Sequence, residues 1–505
     1  MRIEYVSHAT MCVETEDAKI LFDPWWDGAS YNGQWNVFPK PINVDQCLDA
    51  DFIMISHGHE DHLHHQTLAN YKNKKAHLFY PFQWQKGIEG YFNELGFSKV
   101  TEGITGKKYK ISKSTTVTYL ANGLDSIIIV DDGKEVMVNI NDSLHAHHKN
   151  VIAAFCVEIK KIIGRKIDYV FCGFGGASWF PNNFHVEGKN DIEIGEVREQ
   201  VFAHNFCAIV NQLQPKYAVP FAADFALLRA DQRWINTTRF DREKLQAYYS
   251  EFFEDKEIVK TMYSGDVIKD GTFHLSSPYR KELEENGELE SLIDTQYKNE
   301  IQDRNDFSSN GKIDMDKLCS NIVDNLNGRS FLFGEDKLKQ VKYSLEFLGE
   351  EKTKFLNIEF KNNKFEGIRS EKISDASFLV IKGEARIFEY SISSPWGGDA
   401  ITIGYGANMH IFDKSIFEKG LDSICIQLIT RHPIASQTAK KDLYRTAKYF
   451  ATNKLMSKFA VKRLIKGDST KSNSYNRDYW LNKTKCDVCK VCDIPLLTAE
   501  FAEKL

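Results

Sequence analysis

The sequence predicts a mixed α/β protein in which β-sheets are covered by helices. Short runs rich in β-branched and aromatic residues, such as MRIEYVS, ADFIMISH and EVMVNIN, predict strands in the first half. The stretch DIEIGEVREQVFAHNFCAIVNQLQP has apolar residues at helical spacing and ends at Pro215. Because strands come first and helices and strands then alternate, we expect layers of sheet and helix. We place the end of the first domain at residue 245.

The remainder, residues 246–505, is predicted to be a C-terminal extension and carries no motif that indicates chemistry. The stretch RKELEENGELESLIDTQYKNEIQDRN predicts a charged, solvated linker helix. Residues 340–413 predict strands with turns, and residues 435–466 predict helix. The tail contains Cys486, Cys489 and Cys492 at three-residue spacing. These thiols either stay reduced and bind nothing, or they hold a metal together with a remote fourth ligand.

Composition narrows the class of protein. The 505 residues are 42% hydrophobic and 27% charged, which is typical of a globular chain. A formal net charge of −5 argues against a broad nucleic-acid-binding surface. The sequence contains no apolar run long enough for a transmembrane helix and no secretory signal, so we expect a cytoplasmic protein. We expect a small-molecule substrate and no nucleic-acid or membrane partner, and homo-oligomerisation stays open.

The stretch ISHGHEDHLHHQTL contains the pattern H-x-H-x-D-H, formed by His57, His59, Asp61 and His62, directly after an apolar strand. Side chains two residues apart at a strand's end point to the same side, so His57 and His59 can converge on one ion. The following turn brings Asp61 and His62 to a second position. Imidazole and carboxylate ligands suit zinc, iron or manganese. A solvated histidine-rich loop is the alternative, and it describes the neighbouring His64 and His65 better.

This motif, together with YVSHATMCVETEDAKILFDP, resembles the metallo-β-lactamase superfamily, in particular its lactonase-like branch, over residues 1 to about 225. The resemblance implies an αββα sandwich with two metal ions at the edge between the sheets. VNINDS and GFGGASWFP look most like the metallo-β-lactamase-like part of CMP-N-acetylneuraminate hydroxylases. Those enzymes also carry a Rieske module with Cys-x-His and Cys-x-x-His ligands. The sequence has no such pair, so their activity is not carried over.

The resemblance also implies further ligands. Asp142 in VNINDS occupies the position of the carboxylate that bridges both ions. Two family histidines are missing: Asn122 lies in the first of these places, and Asp224 lies near the second. Either another histidine replaces them, or only one ion binds, or the site is richer in oxygen and favours iron or manganese. The candidate replacement histidines are His8, His145, His147, His148, His185 and His204.

Other residues are expected to surround the metals. His8 in SHAT is expected to hydrogen-bond the metal loop, as metal ligands generally require. The loop GFGGASWFPNNF, with Trp179, is expected to face the substrate, and its backbone N–H groups could cradle an anion. His185 is either a substrate contact or part of a solvated loop. His204 lies on a largely apolar helix and is expected in the core.

We therefore predict an enzyme, a metal-dependent hydrolase of an ester, lactone, amide or phosphodiester. Two divalent ions, zinc first and iron or manganese as alternatives, would activate water. Asp61 would orient or deprotonate that water. The alternative is an iron-dependent oxidoreductase on the same fold, motivated by the missing imidazoles. A non-catalytic binding protein is the third hypothesis, and the intact H-x-H-x-D-H motif argues against it.

Overall fold

Two facing β-sheets form the centre of the first half. The computed structural model describes residues 1–83, 88–147, 149–176, 183–188, 190–285, 289–306, 313–350, 354–394, 396–413, 415–430 and 443–458. The first sheet contains β1 (Arg2–Ser7), β2 (Thr10–Glu14), β3 (Lys19–Phe22), β5 (Phe52–Met54), β6 (His77–Pro81), β7 (Val100–Gly103), β16 (Val267–Lys269) and β17 (Thr272–His274). Their spatial order is β17-β16-β1-β2-β3-β5-β6-β7, and β3, β5, β6 and β7 run parallel.

The second sheet has six strands. They are β8 (Lys108–Lys110), β9 (Thr116–Asn122), β10 (Asp125–Asp131), β11 (Val136–Asn141), β12 (Tyr169–Gly173) and β14 (Tyr217–Phe221). The order is β14-β12-β11-β10-β9-β8, with β11, β12 and β14 parallel. The turn between β10 and β11 contains Gly133 at a φ of 83°, a conformation that glycine adopts without strain. Two short strands, β4 (Trp35–Val37) and β15 (Phe225–Leu227), pair separately.

Apolar side chains fill the space between the two sheets, including Met11, Ile128 and Phe171. Helices cover the outer faces. These are α1 (His65–Asn70) and α2 (Glu89–Glu94) on the first sheet, and α3 (Lys149–Ile163), α4 (Asp191–Leu213) and α6 (Leu245–Phe252) on the second. The short helix α5 (Trp234–Thr237) lies between α4 and α6 in the chain. The expected αββα sandwich is therefore confirmed.

The helix that the spacing predicts before Pro215 is present as α4. It begins where the side chain of Asn190 accepts hydrogen bonds from the backbone N–H groups of Ile192 and Glu193. Its buried face includes Phe202, as the apolar spacing indicates. The sandwich itself runs past the expected boundary at residue 245, because β16 and β17 lie in the first sheet and β16 pairs with β1.

The second half builds most of a third sheet, to which the first half adds one strand. It contains β13 (Phe184–Val186), β18 (Lys342–Leu348), β19 (Phe355–Lys361), β20 (Lys364–Ser370), β21 (Leu379–Glu384) and β22 (Ala407–Ile411), in the order β13-β22-β21-β18-β19-β20. The accompanying helices are α7 (Leu289–Gln296), α8 (Lys298–Asn305), α9 (Met315–Arg329), α10 (Glu335–Leu338), α11 (Ala385–Ser393), α12 (Gly397–Ile401), α13 (Ser415–Lys419), α14 (Leu421–Ile429) and α15 (Leu443–Thr452). Shorter turns are the 3₁₀ segments Val44–Cys47, Arg242–Lys244 and Ser330–Leu332 and the π turn Lys281–Glu285.

The strands expected within residues 340–413 are present, with helices α11 and α12 between β21 and β22. The expected solvated linker helix is not: α7 and α8 bury Ile293 and Tyr297 against the first half, and the hydroxyl of Tyr297 donates to the carbonyl of Val37. The prediction failed because the segment is mostly charged and only a few of its residues form the apolar face that is buried. Of the expected helix at 435–466, the structure describes α15 and residues to 458, while Cys486, Cys489 and Cys492 lie outside the described residues.

Seven cysteines in the described part of the chain are buried free thiols. Among the helices that the structure describes, none is both long enough and apolar enough to cross a lipid bilayer.

A buried carboxylate ties the two halves together. Glu384, at the end of β21, is 3% exposed and faces three guanidinium groups. Arg386 donates to it over 2.6 Å, Arg304 of α8 lies 2.8 Å away, and Arg229, in the loop after β15, lies 3.5 Å away. Removing one partner from a buried ionic cluster leaves the remaining charges uncompensated. The packing of the second half on the first therefore depends on the carboxylate of Glu384.

We expect Glu384→Gln to lower the free energy of unfolding by about 3 kcal/mol, because the buried guanidinium group of Arg229 and the partly buried ones of Arg304 and Arg386 would face a neutral amide. Urea denaturation followed by circular dichroism measures this. The matched control is Glu335→Gln, since Glu335 forms an exposed pair with Lys339, and exposed pairs contribute about 0–1 kcal/mol. Equal midpoints for both variants would contradict the role of Glu384.

Candidate metal centre

The H-x-H-x-D-H motif begins three residues after the buried strand β5, and the loop that carries it ends at α1. Because β3 and β5 are parallel, their carboxyl ends lie at one edge of the first sheet. Asp142 follows β11 of the second sheet, and Asp125 begins β10 after a turn at Gly123. Loops from both sheets therefore deliver polar side chains to the same edge of the sandwich.

Three overlapping groups of side chains at this edge could each hold a metal ion, because their donor atoms lie within 4.8 Å of one another. They combine histidine nitrogens with carboxylate oxygens, and His57 and His62 each belong to two groups. The groups are His57, His59 and Asp125; His57, His62 and Asp142; and His8, Asp61 and His62. The convergence of the motif with Asp142, expected from the sequence, is thus present in the fold.

The distances between donor atoms are short. Nε2 of His57 lies 2.9 Å from Nδ1 of His59 and 3.9 Å from a carboxylate oxygen of Asp125. Nε2 of His62 lies 3.4 Å from Asp61 and 3.5 Å from Asp142. All these groups are at least partly enclosed, so the cluster is a compact set of nitrogen and oxygen donors. Such a set suits zinc, iron or manganese.

Unsatisfied donor atoms test whether a metal fits. Among the described residues, Nε2 of His62, one oxygen of Asp142 and both ring nitrogens of His145 are buried without a hydrogen-bond partner. Buried polar atoms normally have one, because leaving them unpaired costs about 1–3 kcal/mol. A cation would satisfy the atoms of His62 and Asp142. The residues present therefore fit a metal centre.

A buried carboxylate that the sequence analysis did not single out orients this centre. Asp23, in the DP motif after β3, accepts hydrogen bonds of 2.7 Å from the backbone N–H and the hydroxyl of Ser56 and from the side-chain amide of Asn141. It also lies 3.1 Å from Nδ1 of His62. A carboxylate on the far nitrogen of a histidine directs the near nitrogen towards a metal. Asp23 therefore points Nε2 of His62 into the cluster.

Asp61 is held by two further side chains. One oxygen lies 2.9 Å from Nε2 of His8, and the other accepts a 2.5 Å hydrogen bond from the hydroxyl of Tyr31. Burial alone would raise the pKa of Asp61, but the neighbouring His62 and His8 outweigh it and hold that pKa well below its usual value. The carboxylate is therefore ionised. His8 plays the expected supporting role and also belongs to one of the three ligand groups.

Two other predicted ligands are held by neighbouring groups. The side-chain amide N–H of Asn122 donates to the carbonyl of Ser143 and supports the turn after Asp142. Asp224 forms an ion pair with Arg242 and accepts from the hydroxyl of Tyr5, which occupies its carboxylate. Asp125, in the same YLANGLDS stretch as Asn122, reaches the cluster instead. The hairpin geometry, with a turn at Gly123, was the signal for it.

The remaining histidines are also placed. His64 caps α1 by accepting from the backbone of Thr67, and His65 lies 3.0 Å from the hydroxyl of Tyr91, so neither joins the cluster. His204 lies in the core beside Tyr248, as expected. His185 pairs with Asp191 at the third sheet, away from the cluster. Trp179 and His148 lie outside the described residues.

A cavity of about 220 Å³ opens onto the cluster. Its polar lining contains ligand candidates together with His145 and His147. Its remaining lining includes the rings of Tyr31 and Trp35 and the side chain of Ile403. Ile403 belongs to the second half of the chain, which the sequence analysis left without a role in the chemistry.

One backbone N–H of the glycine loop after β12 forms a hydrogen bond within the protein. The N–H of Gly176 donates to both oxygens of Glu199, each over 3.1 Å, so an internal carboxylate occupies the N–H that was expected to cradle an anion. Burial raises the pKa of Glu199 to about 7. Glu199 of α4 thus fixes the described part of this loop.

Residues 2–222 match the family model described as a β-lactamase superfamily domain. The first half of the chain is therefore similar to the metallo-β-lactamase superfamily, in agreement with the resemblance of the motif. The cytidine monophosphate-N-acetylneuraminic acid hydroxylase of Danio rerio is 24% identical over 250 residues, covering 47% of this chain and 40% of that protein. The protein named as the inactive form of this hydroxylase in Homo sapiens is 25% identical over 253 residues, covering 47% and 48%. The chain thus spans less than half the length of these relatives.

Two solved structures align with the chain at lower sequence identity than these relatives. The diiron β-hydroxylase CmlA from Streptomyces venezuelae aligns with a TM-score of 0.37 at 17% identity, covering 53% of this chain and 54% of that one. The isothiocyanate hydrolase from Delia radicum gut bacteria aligns with a TM-score of 0.37 at 13% identity, covering 53% and 98%. Scores at this level support no conclusion about activity.

We expect Asp23→Asn to weaken metal binding by about 10- to 100-fold, because the amide no longer holds Nδ1 of His62 with a charged acceptor. Competition with a chromophoric chelator measures the affinity. Asp27→Asn, four residues along the same loop and directed at Asn70, is the matched control and should bind as the unaltered protein does. Equal affinity in both variants would remove Asp23 from the site.

Glu199 predicts a pH dependence of stability. Its pKa in the folded protein, about 7, lies above the ordinary value of 4.5. A raised carboxyl pKa contributes stability that is complete below about pH 4.5 and is lost as the pH rises through 7. Relative to Glu199→Gln, the unaltered protein should lose on the order of 3 kcal/mol of unfolding free energy between pH 4.5 and 8. Urea denaturation across this range tests it, with the exposed Glu193→Gln as control; parallel curves for all three proteins would contradict the assignment.

Proposed function

We propose that this protein is a metal-dependent hydrolase that binds two adjacent divalent ions. The observation that carries the proposal is the set of three overlapping ligand groups facing one cavity. When bound, such ions lower the pKa of coordinated water towards neutrality and polarise a carbonyl or phosphoryl oxygen. The substrate class is an ester, lactone, amide or phosphodiester small enough to enter the cavity.

The proposed ligand sets follow from the groups. His57, His59 and Asp125 would hold one ion. His8, Asp61 and His62 would hold the other. Asp142 forms a group with one histidine of each set, His57 and His62, which supports a position between the two ions.

Asp61 is the proposed catalytic residue. Its carboxylate stays ionised, and His8 and Tyr31 restrain both of its oxygens. A restrained, ionised carboxylate at the cavity wall can hold a reacting water in one orientation and accept a hydrogen bond from it. The hydroxyl of Tyr31 donates its hydrogen bond to Asp61, so the role of Tyr31 is to position that carboxylate.

An iron-dependent oxidoreductase is the second candidate. Three carboxylates, Asp61, Asp125 and Asp142, make the donor set richer in oxygen than the sequence motif alone indicates, and such donors favour harder metals such as iron or manganese over zinc. The curated relatives named as hydroxylases support the same function.

The cytoplasmic location of the protein and its homo-oligomerisation stay predictions.

Elemental analysis of protein purified without chelators tests the proposal directly. Close to two equivalents of zinc, with hydrolysis of at least one ester, lactone, amide or phosphodiester in a substrate panel, would support the hydrolase. Two equivalents of iron, together with oxygen consumption in the presence of a reductant, would favour the oxidoreductase. Protein that takes up no divalent ion on reconstitution would contradict both.

Asp61→Asn should lower kcat by at least about 100-fold, because the amide cannot accept a proton and neutralises a cluster ligand. The thermal midpoint of the metal-free protein should change little. Asp45→Asn, at an exposed carboxylate in the turn before β5, should leave kcat unchanged. Full activity in Asp61→Asn would remove it from the reaction.

A further inference from the structure

Residues Trp396–Tyr405 of the second half, here called the roof segment, lie over the metal centre. The segment consists of α12 and the turn that leads to β22. It is not covered by the superfamily match, which ends at residue 222. Its contacts with the first half are specific and involve the loop that carries the candidate ligands.

The first contact fixes the start of the roof segment. The indole N–H of Trp396 donates over 3.0 Å to the carbonyl of Gly58, the residue between His57 and His59. The ring of Trp396 also packs on Tyr91 at a centroid distance of 5.7 Å. One end of the roof segment is therefore attached to the backbone of the metal-binding loop.

The second contact fixes its other end. The hydroxyl of Tyr405 donates over 2.7 Å to the carbonyl of Gly176, and its ring packs against Trp35 at 5.8 Å. Gly404 passes so close to Tyr31 that a Cβ placed on it would lie 2.6 Å from the Cβ of Tyr31. The close approach requires glycine at this position. Tyr31 is the residue that donates to Asp61.

Between these two ends, Ile403 lines the same cavity as the ligand candidates His59, Asp61, Asp125 and Asp142. At about 220 Å³ the cavity is smaller than the roughly 300–1,000 Å³ typical of ligand pockets. Asp399, also in the roof segment, acts electrostatically on His59 and Asp61 and brings a charge from the second half to the site. The cavity is thus bounded by both halves of the chain.

We infer that the roof segment is a wall of the active site and that Ile403 determines substrate size, restricting the reaction to molecules with a small group beside the bond that reacts. This inference rests on the proposed metal centre. It assigns to the second half a direct role in selecting the substrate. A single methylene in an apolar pocket changes binding by about tenfold or more, so the isoleucine side chain is a sufficient size filter.

Two hydroxamates test it without any known substrate, since both ligate zinc or iron through the same group and differ in size. Isothermal titration calorimetry on the metal-loaded full chain would measure the affinities for acetohydroxamate and benzohydroxamate. The unaltered protein should prefer acetohydroxamate. Ile403→Ala should raise the affinity for benzohydroxamate by about tenfold and leave that for acetohydroxamate within about twofold. The affinity of Ile403→Val for benzohydroxamate should lie between those of the unaltered protein and Ile403→Ala. Ile403→Phe should bind both ligands more weakly.

Ile392→Ala is the matched control, because it removes the same atoms from the core of the second half, away from the cavity. It should leave the ratio of the two affinities unchanged. If Ile403→Ala binds metal and acetohydroxamate normally but shows the unaltered ratio, the inference is wrong and the proposed function stands. If the unaltered protein binds no metal, the proposed function fails. If Ile403→Ala does not fold, the Ile403→Val and Ile403→Phe variants test the inference. The inference is overturned if both variants show the same two affinities as the unaltered protein.

Discussion

The carboxylate of Asp23 joins the two sheets at the edge where the candidate ligands meet. It accepts from Ser56, which follows β5 of the first sheet, and from Asn141, which ends β11 of the second. Through Nδ1 of His62 it also sets the direction of a ligand candidate. A buried carboxylate requires several donors, and here those donors come from different loops. The same requirement therefore aligns the sheet edges and orients the metal-binding loop.

A second set of contacts extends this arrangement to the whole chain. Glu384 gathers guanidinium groups from both halves, and α8 and the roof segment lie on the first half through Tyr297, Trp396 and Tyr405. The extension is thereby packed on the sandwich at two places, one of which is the cavity beside the ligand candidates. The sandwich supplies these ligand candidates, while the roof segment supplies part of the cavity lining.

Much of the fold and part of the site could be predicted from the sequence. Alternating and β-branched runs indicated most strands of the sandwich, and the H-x-H-x-D-H spacing brought His57, His59, Asp61 and His62 together because local geometry after a strand is enough to do so. Asp142 was placed by the resemblance. Asp125 was missed because a hairpin turn, rather than an apolar pattern, carries it to the cluster. Asp224 was expected there, but a buried arginine, distant by only 18 residues, occupies its carboxylate.

The sequence by itself determined the sandwich, the motif that could bind metal and the superfamily, since each depends on residues close together in the chain. Only the tertiary structure decided which carboxylates complete the cluster, that Asp23 orients His62, and that Ile403 faces the cavity. Those relations depend on contacts between distant parts of the chain: Asp23 and His62 are 39 positions apart, Asp23 and Asn141 are 118 apart, and Gly58 and Trp396 are 338 apart. Spacing along the chain carries no information on such pairs, because they are brought together by the packing of whole sheets and helices.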